Sequence, residues 1–179
     1  MKVLVTYFSQ TGNTEQIARA IHEEASSCSS PFLKKTDEIA PSQLDEYDHV
    51  FIGSPCHADT LAEPVRSFLN LIPDNSPCHL AGFVTHASSF YNFYNKSDYE
   101  NCMTYLSSLC RKKGIPYRGC FECQGRLAPQ LREFIKKSKH STHDEWARMV
   151  AQMEGHPDSE DLTNARDYAR DILMKFQLD

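Results

Sequence analysis

The sequence predicts an α/β fold: a parallel sheet with helices on both faces, arranged as a three-layer sandwich. Two observations predict it. Short β-branched and aromatic runs of strand length alternate along the chain with segments whose apolar residues recur at helical spacing. Strands separated by helices cross over in one hand and form a parallel sheet. The 179 residues are long enough for one sizeable core and short for two, so the prediction is a single domain over 1–179.

The elements follow in order. "LVTYF" and its flanks read as a strand beginning almost at residue 1. Thr14 can cap a helix carrying Ile17, Ala18, Ile21 and Ala25. "SSCSSP" ends that helix, and "FLKKT" is a short strand. "DEIAPSQLDEYD" leaves room for a short crossover only. "HVFIGSP" (His49 to Pro55) is a buried strand, stopped by Pro55. Pro64 suits a first helical turn, and Val65, Phe68, Leu69 and Ile72 lie on one face of the helix. "HLAGFVTHA" (His79 to Ala87) is strand-like. Tyr99, Cys102, Met103, Leu106, Leu109 and Cys110 form a helical stripe that Gly114 ends. Tyr117 to Gly125 is the fifth strand. Trp146, Met149, Val150 and Met153 predict another helix, in an additional helical segment at about 126–156. Ala165, Tyr168, Ala169, Ile172, Leu173 and Phe176 stripe the last helix, after the cap "HPDSED".

Composition narrows the function classes. The net charge of −5 disfavours a nucleic-acid or anionic-membrane partner. No apolar run approaches the roughly 20 residues needed to span a bilayer, and "MKVLVTYFSQ" is too short an apolar run for a signal peptide. Seven cysteines, an odd number at irregular spacing, point to reduced thiols in the cytoplasm, most of them buried fillers. Serine-triad hydrolysis lacks GxSxG, and metal catalysis lacks a ligand set such as HExxH.

In such sheets ligands bind beyond the carboxyl ends of the strands. The first strand-end loop, Ser9-Gln10-Thr11-Gly12-Asn13-Thr14, leads into a helix N-terminus, where free N–H groups and the helix dipole favour an anion. Hydroxyls and an amide can donate to it, and Gly12 permits an unusual backbone angle. No Lys or Arg lies in the loop, unlike GxxxxGK[ST]. Such a site suits one phosphate monoester; a plain polar cap is the alternative.

"VTYFSQTGNTEQIA" resembles the phosphate-binding signature of the flavodoxin family, a hydrophobic strand followed by [ST]-x-T-G-x-T. "LDEYDHVFIGSPCHAD" is similar to the family's third strand and first flavin loop, and "GFVTHASSFY" to its fourth strand and second flavin loop. The last helix also resembles that of several flavodoxin-like proteins. The resemblance implies a five-stranded sheet in the order 2-1-3-4-5. It also implies FMN, with its phosphate on Ser9 to Thr14 and its ring between Pro55, Cys56, His57, Ala58 on one side and His86, Ala87, Phe90, Tyr91 on the other. His57 occupies the position often held by Trp, and Phe90 matches the usual Tyr, with Tyr91 adjacent.

The chain departs from the family pattern at the ring end. Ala58 replaces a common glycine whose peptide flips to bond the reduced flavin, and a turn with φ > 0 costs a non-glycine residue on the order of 1 kcal/mol. The expectation is a less stabilised semiquinone. Ala87 replaces an Asp, and the expected flavin shell contains His57 and His86 and lacks the carboxylate cluster usual around low-potential flavodoxins, so a less negative potential is expected. Cys56 is a filler beside the ring or a thiol that tunes it. Cys120 and Cys123 should point to opposite sheet faces. The basic stretch containing Arg126, Arg132, Lys136, Lys137, Lys139, His140 and His143 is either a solvated helix face or a lid or docking surface near the open edge of the sheet.

The leading expectation is an FMN-binding electron-transfer protein serving a redox protein partner or a small electron donor or acceptor. The alternatives are an NAD(P)H-dependent flavin oxidoreductase, of the quinone- or FMN-reductase kind, and a flavin-free interaction domain.

Overall fold

The computed structural model describes residues 1–87, 97–138 and 142–175. In chain order the elements are β1 (Val3–Tyr7), α1 (Asn13–Ala25), β2 (Phe32–Lys35), β3 (His49–His57), β4 (Thr60–Leu61), α2 (Glu63–Asn70), β5 (His79–His86), α3 (Ser97–Lys113), β6 (Tyr117–Gln124), α4 (Arg132–Ser138), α5 (His143–Glu154) and α6 (Ser159–Met174). The crossover between β2 and β3 consists of two 3₁₀ turns, Thr36–Glu38 and Pro41–Glu46. No described helix is long and apolar enough to cross a membrane.

The sheet order is β2-β1-β3-β5-β6, with every one of these neighbours parallel. The fold is therefore the expected flavodoxin-like sandwich, with the two-residue β4 added as a sixth strand antiparallel to the end of β3. Pro55 does not stop β3. The strand runs on to His57 because Cys56 and His57 pair with Leu61 and Thr60 of β4.

Alternation along the strands divides the core in two. Leu4, Val50, Ile52, Leu80 and Val84 face α2 and α3, against Val65, Phe68, Leu69, Cys102 and Leu106. Val3, Val5, Phe51, Ala81 and Phe83 face α1 and α6, against Ile17, Ile21, Ala165 and Ala169. Burial of an aliphatic or aromatic side chain contributes roughly 1.5–3 kcal/mol, so these two faces supply the main drive to fold. Tyr168 hooks α6 to the sheet, its hydroxyl lying 3.0 Å from the carbonyls of both Gly82 and Gly119. Met149 and Met153 are the buried members of the α5 stripe. Phe176 lies outside the described residues.

Cys120 packs against the α2–α3 core and Cys123 belongs to the α1–α6 core, so the two thiols face opposite ways. Burial pushes the Cys110 thiol up to about 11 and the Cys120 thiol up to about 12, and raises those of Cys78 and Cys123. Cys28, just past α1, is exposed.

At the amino end of the sheet His49 and His79 stack, their ring centroids 5.4 Å apart. His49 is 2% exposed, and burial, then the neighbouring His79, holds it down to about 4. Arg118 and the N-terminal amine act in the same direction, and Asp48 opposes them. Burial, then the Arg118 charge, also lowers His79, whose Nδ1 accepts from Arg118 Nε at 3.0 Å. Both histidines therefore bind protons more readily in the unfolded chain. The stabilising contribution of each is complete above the unfolded value near 6.5 and is lost as the pH falls, for His49 toward about 4. For His49 the loss is about 2–3 kcal/mol. Thermal unfolding followed between pH 7 and pH 4 should show this decline, and His49→Gln should flatten it.

Candidate functional site

Three strand ends meet at the carboxyl edge of the sheet. At the first, Phe8 N–H still donates to Gly53 O at 3.1 Å, and the chain then turns into α1. The N-cap is Gly12, at φ +85°, a left-handed conformation that glycine adopts without steric penalty. This corrects the sequence expectation that Thr14 caps the helix. Thr14 instead lies in the first turn, 1% exposed, with its Oγ1 2.8 Å from that of the equally buried Thr85 on β5. Ser9 Oγ accepts from Gly12 N–H at 3.1 Å and closes the loop on itself. No side chain caps α1, and the first-turn N–H groups of Asn13, Thr14 and Glu15 have no intrahelical acceptor. Asn13 Nδ2 donates to Arg126 O at 2.8 Å, whereas Asn13 Oδ1 is buried with no hydrogen-bond partner among the described residues.

The second strand end is the β3–β4 hairpin. His57 and Thr60 pair across a two-residue turn in which Ala58 has φ +46° and Asp59 φ +64°. Left-handed φ at both central residues matches the twist of a tight hairpin, which is why Asn-Gly is the usual choice there. Here neither position is glycine. Ser54 Oγ accepts from Ala62 N–H at 2.9 Å and braces the far side of the hairpin. The Cys56 thiol is hydrogen-bonded to that of Cys102 on α3; this bond and burial together raise the Cys102 thiol well above its ordinary value. His57 is half-buried, and desolvation lowers its pKa, favouring the neutral ring.

The third strand end is formed by β5 and β6. His86 is the last residue of β5 rather than a loop residue, because its carbonyl accepts from Gly125 N–H at 2.7 Å and extends the pairing with β6. Its Nε2 lies 2.6 Å from Glu122 Oε2, and its ring stacks on Tyr99 at 4.3 Å, with planes 7° apart. Glu122 is therefore a carboxylate at the site that sequence reading did not foresee. Gly125 packs against Asn13 so closely that a Cβ would sit 2.8 Å from Nδ2. Phe90 and Tyr91 lie outside the described residues.

One cleft gathers Gln10, Thr11, Asn13, Thr14, Pro55, Cys56, His57, His86 and Ala87. Ser9, Gly12 and Ala58 shape the adjoining turns without lining the cleft. Thr85, Arg126, Leu127, Ala128 and Leu131 line it as well and were missed in the sequence. Arg126 to Leu131 follow the last strand directly, so the strand-end rule applied to the fifth strand was the signal available for them.

A family model described as a flavodoxin domain matches residues 4–170. The chain belongs to the flavodoxin family. It is 27% identical over 182 residues to the flavodoxin-like domain-containing protein BilS of Clostridioides difficile (strain CD3), covering 98% of each chain. Among solved structures it is similar to oxidised flavodoxin 2 of Bacillus cereus, with 19% identity, a TM-score of 0.68 and coverage of 98% of this chain and 99% of that one. It is also similar to a flavodoxin from the domain Archaea, with 16% identity, a TM-score of 0.64 and 99% of each chain covered. Family membership makes this a flavodoxin-like flavoprotein. Its residues suit a flavin: the uncapped α1 start offers N–H donors to an anionic group, and the orphaned Asn13 Oδ1 asks for a donor such as a hydroxyl.

The hairpin generates a prediction. Ala58→Gly relieves the left-handed strain at φ +46°, partly offset by the greater freedom of glycine in the unfolded chain. The net gain should be about 0.5–1 kcal/mol, or a rise in Tm of roughly 1–4 °C, read by thermal unfolding of the FMN-free protein. An unchanged or lower Tm would mean that the turn is not strained.

Proposed function

We propose that this flavodoxin-family protein binds FMN and exchanges electrons with a redox partner. The observation that carries the reading is the α1 N-terminus: a glycine-capped, lysine-free start without a side-chain cap, whose Asn13 lines the cleft. Ser9 to Thr14 would hold the phosphate through hydroxyls and N–H groups. Thr14 is held in place by Thr85, which makes the donor set rigid before the ligand arrives. Asn13 would offer Oδ1 to a hydroxyl of the ribityl chain.

When bound, FMN supplies the electron-carrying chemistry. The chain's own residues set its surroundings. Desolvation favours a neutral His57, and Ala58 and Ala87 add no charge. Of the carboxylates at this end, Glu122 is engaged by His86, and Asp59 sits in the hairpin turn beside Ala58. An environment poor in negative charge penalises a reduced, anionic ring less. This supports a midpoint potential less negative than that of carboxylate-rich relatives.

Titration of the apoprotein with FMN and with riboflavin tests the reading. FMN should bind at least about a hundredfold more tightly, the difference coming from charge-assisted hydrogen bonds to the phosphate. Gly12→Ala should narrow that gap, because φ +85° disfavours any Cβ even though open space surrounds the position. Equal affinity for the two flavins would remove the phosphate assignment. Oxidation of NADPH by the loaded protein alone would move the function to a reductase.

A further inference from the structure

The structure carries an unusual feature beside the cleft. The net charge of the chain is −5, yet the arm from Arg126 to Lys137 holds four cations (Arg126, Arg132, Lys136 and Lys137) and a single anion, Glu133. Arg132 is engaged by Glu154 at 3.0 Å. Among the described residues the other three cations have no ion-pair partner.

The same arm exposes apolar surface. Leu131 is 45% and Phe134 is 67% exposed, although both are large hydrophobic residues. Leu131 forms part of the cleft wall, and Phe134 follows one turn later at the start of α4. Leu131, Phe134 and Lys137 recur at a spacing of three, so they share one side of the arm. The arm is fixed rather than dangling: Asn13 Nδ2 grips its first carbonyl and Arg132 ties it to α5.

We propose that the Arg126–Lys137 arm is a docking surface for an acidic redox protein. Charge complementarity selects the occupant, since the arm carries a local excess of cations on a chain that is net negative as a whole. The apolar pair Leu131 and Phe134 forms the dry centre, and Arg126, Lys136 and Lys137 form the charged rim. Continuity with the cleft gives the surface its purpose, because a partner seated here lies against the wall of the ligand site. Two apolar side chains on so short an arm are a small hydrophobic anchor for a lipid surface. The docking claim rests on the flavin reading only for its electron-transfer readout.

The test uses the FMN-loaded protein with two probes, an acidic [2Fe–2S] ferredoxin and a basic cytochrome c. Binding is measured by titration calorimetry at low and high salt, and flavin reduction by the pre-reduced ferredoxin is followed by stopped flow. Lys136→Glu/Lys137→Glu should weaken ferredoxin binding by about tenfold or more at low salt and flatten its salt dependence. Phe134→Ser should weaken binding at both salt concentrations. Reduction by dithionite and the circular dichroism spectrum should stay as in the wild type. Unchanged ferredoxin binding in the charge-reversed variant would overturn the proposal. So would cytochrome c binding more tightly than ferredoxin through this arm, or capture of the arm by phosphatidylserine vesicles in place of ferredoxin. Arm-dependent ferredoxin binding by a protein that takes no FMN would uphold the docking surface and sink the flavin reading. FMN binding with arm-independent ferredoxin affinity would do the reverse.

Discussion

The cleft depends on the contact between Asn13, at the start of the first helix, and the turn that follows the last strand of the sheet. Gly125 leaves the room that a Cβ would fill, and the Asn13 amide reaches past it to the Arg126 carbonyl. Residues more than 100 positions apart are thereby locked together. The bond has a polar consequence. An amide that spends its NH₂ group on the protein keeps its carbonyl oxygen as an acceptor, and among the described residues that oxygen is buried without a donor. Removing that partnership would free the post-β6 arm from the turn that leads into α1 and leave the cleft without one wall.

Parallel pairing explains why the ends of the sheet differ so much. All five long strands run the same way, so every strand-end turn at one edge can contribute to one site. At the opposite edge the stacked His49 and His79 act on stability, their burial favouring neutral rings. Acid sensitivity and ligand chemistry therefore reside at opposite edges of one sheet.

The fold was legible because period-two and period-3.6 patterns are local, and each long element announced itself. The stripes Val65, Phe68, Leu69 and Cys102, Leu106, Cys110 are indeed buried. The turn from β1 into α1 was legible for the same reason, being contiguous. What could not be read was pairing between distant segments. β4 is too short to carry a pattern and exists only because β3 has an unpaired end. Thr14 looked like a cap because its hydroxyl partner, Thr85, lies 71 residues away. Glu122 reaches the site only through the β5–β6 register, and Arg126 to Leu131 only through the Asn13 contact.

The distribution of the seven thiols carries a practical consequence. Those of Cys78, Cys102, Cys110, Cys120 and Cys123 are held in the protonated form by burial and by their neighbours, and Cys56 is half-buried in the cleft wall. Cys28 alone is exposed. It sits beyond the C-terminus of α1, roughly 20 Å of helix away from the glycine cap. A single maleimide fluorophore attached there would watch ligand entry and partner arrival from a distance, with no engineered cysteine and no disturbance of the cleft.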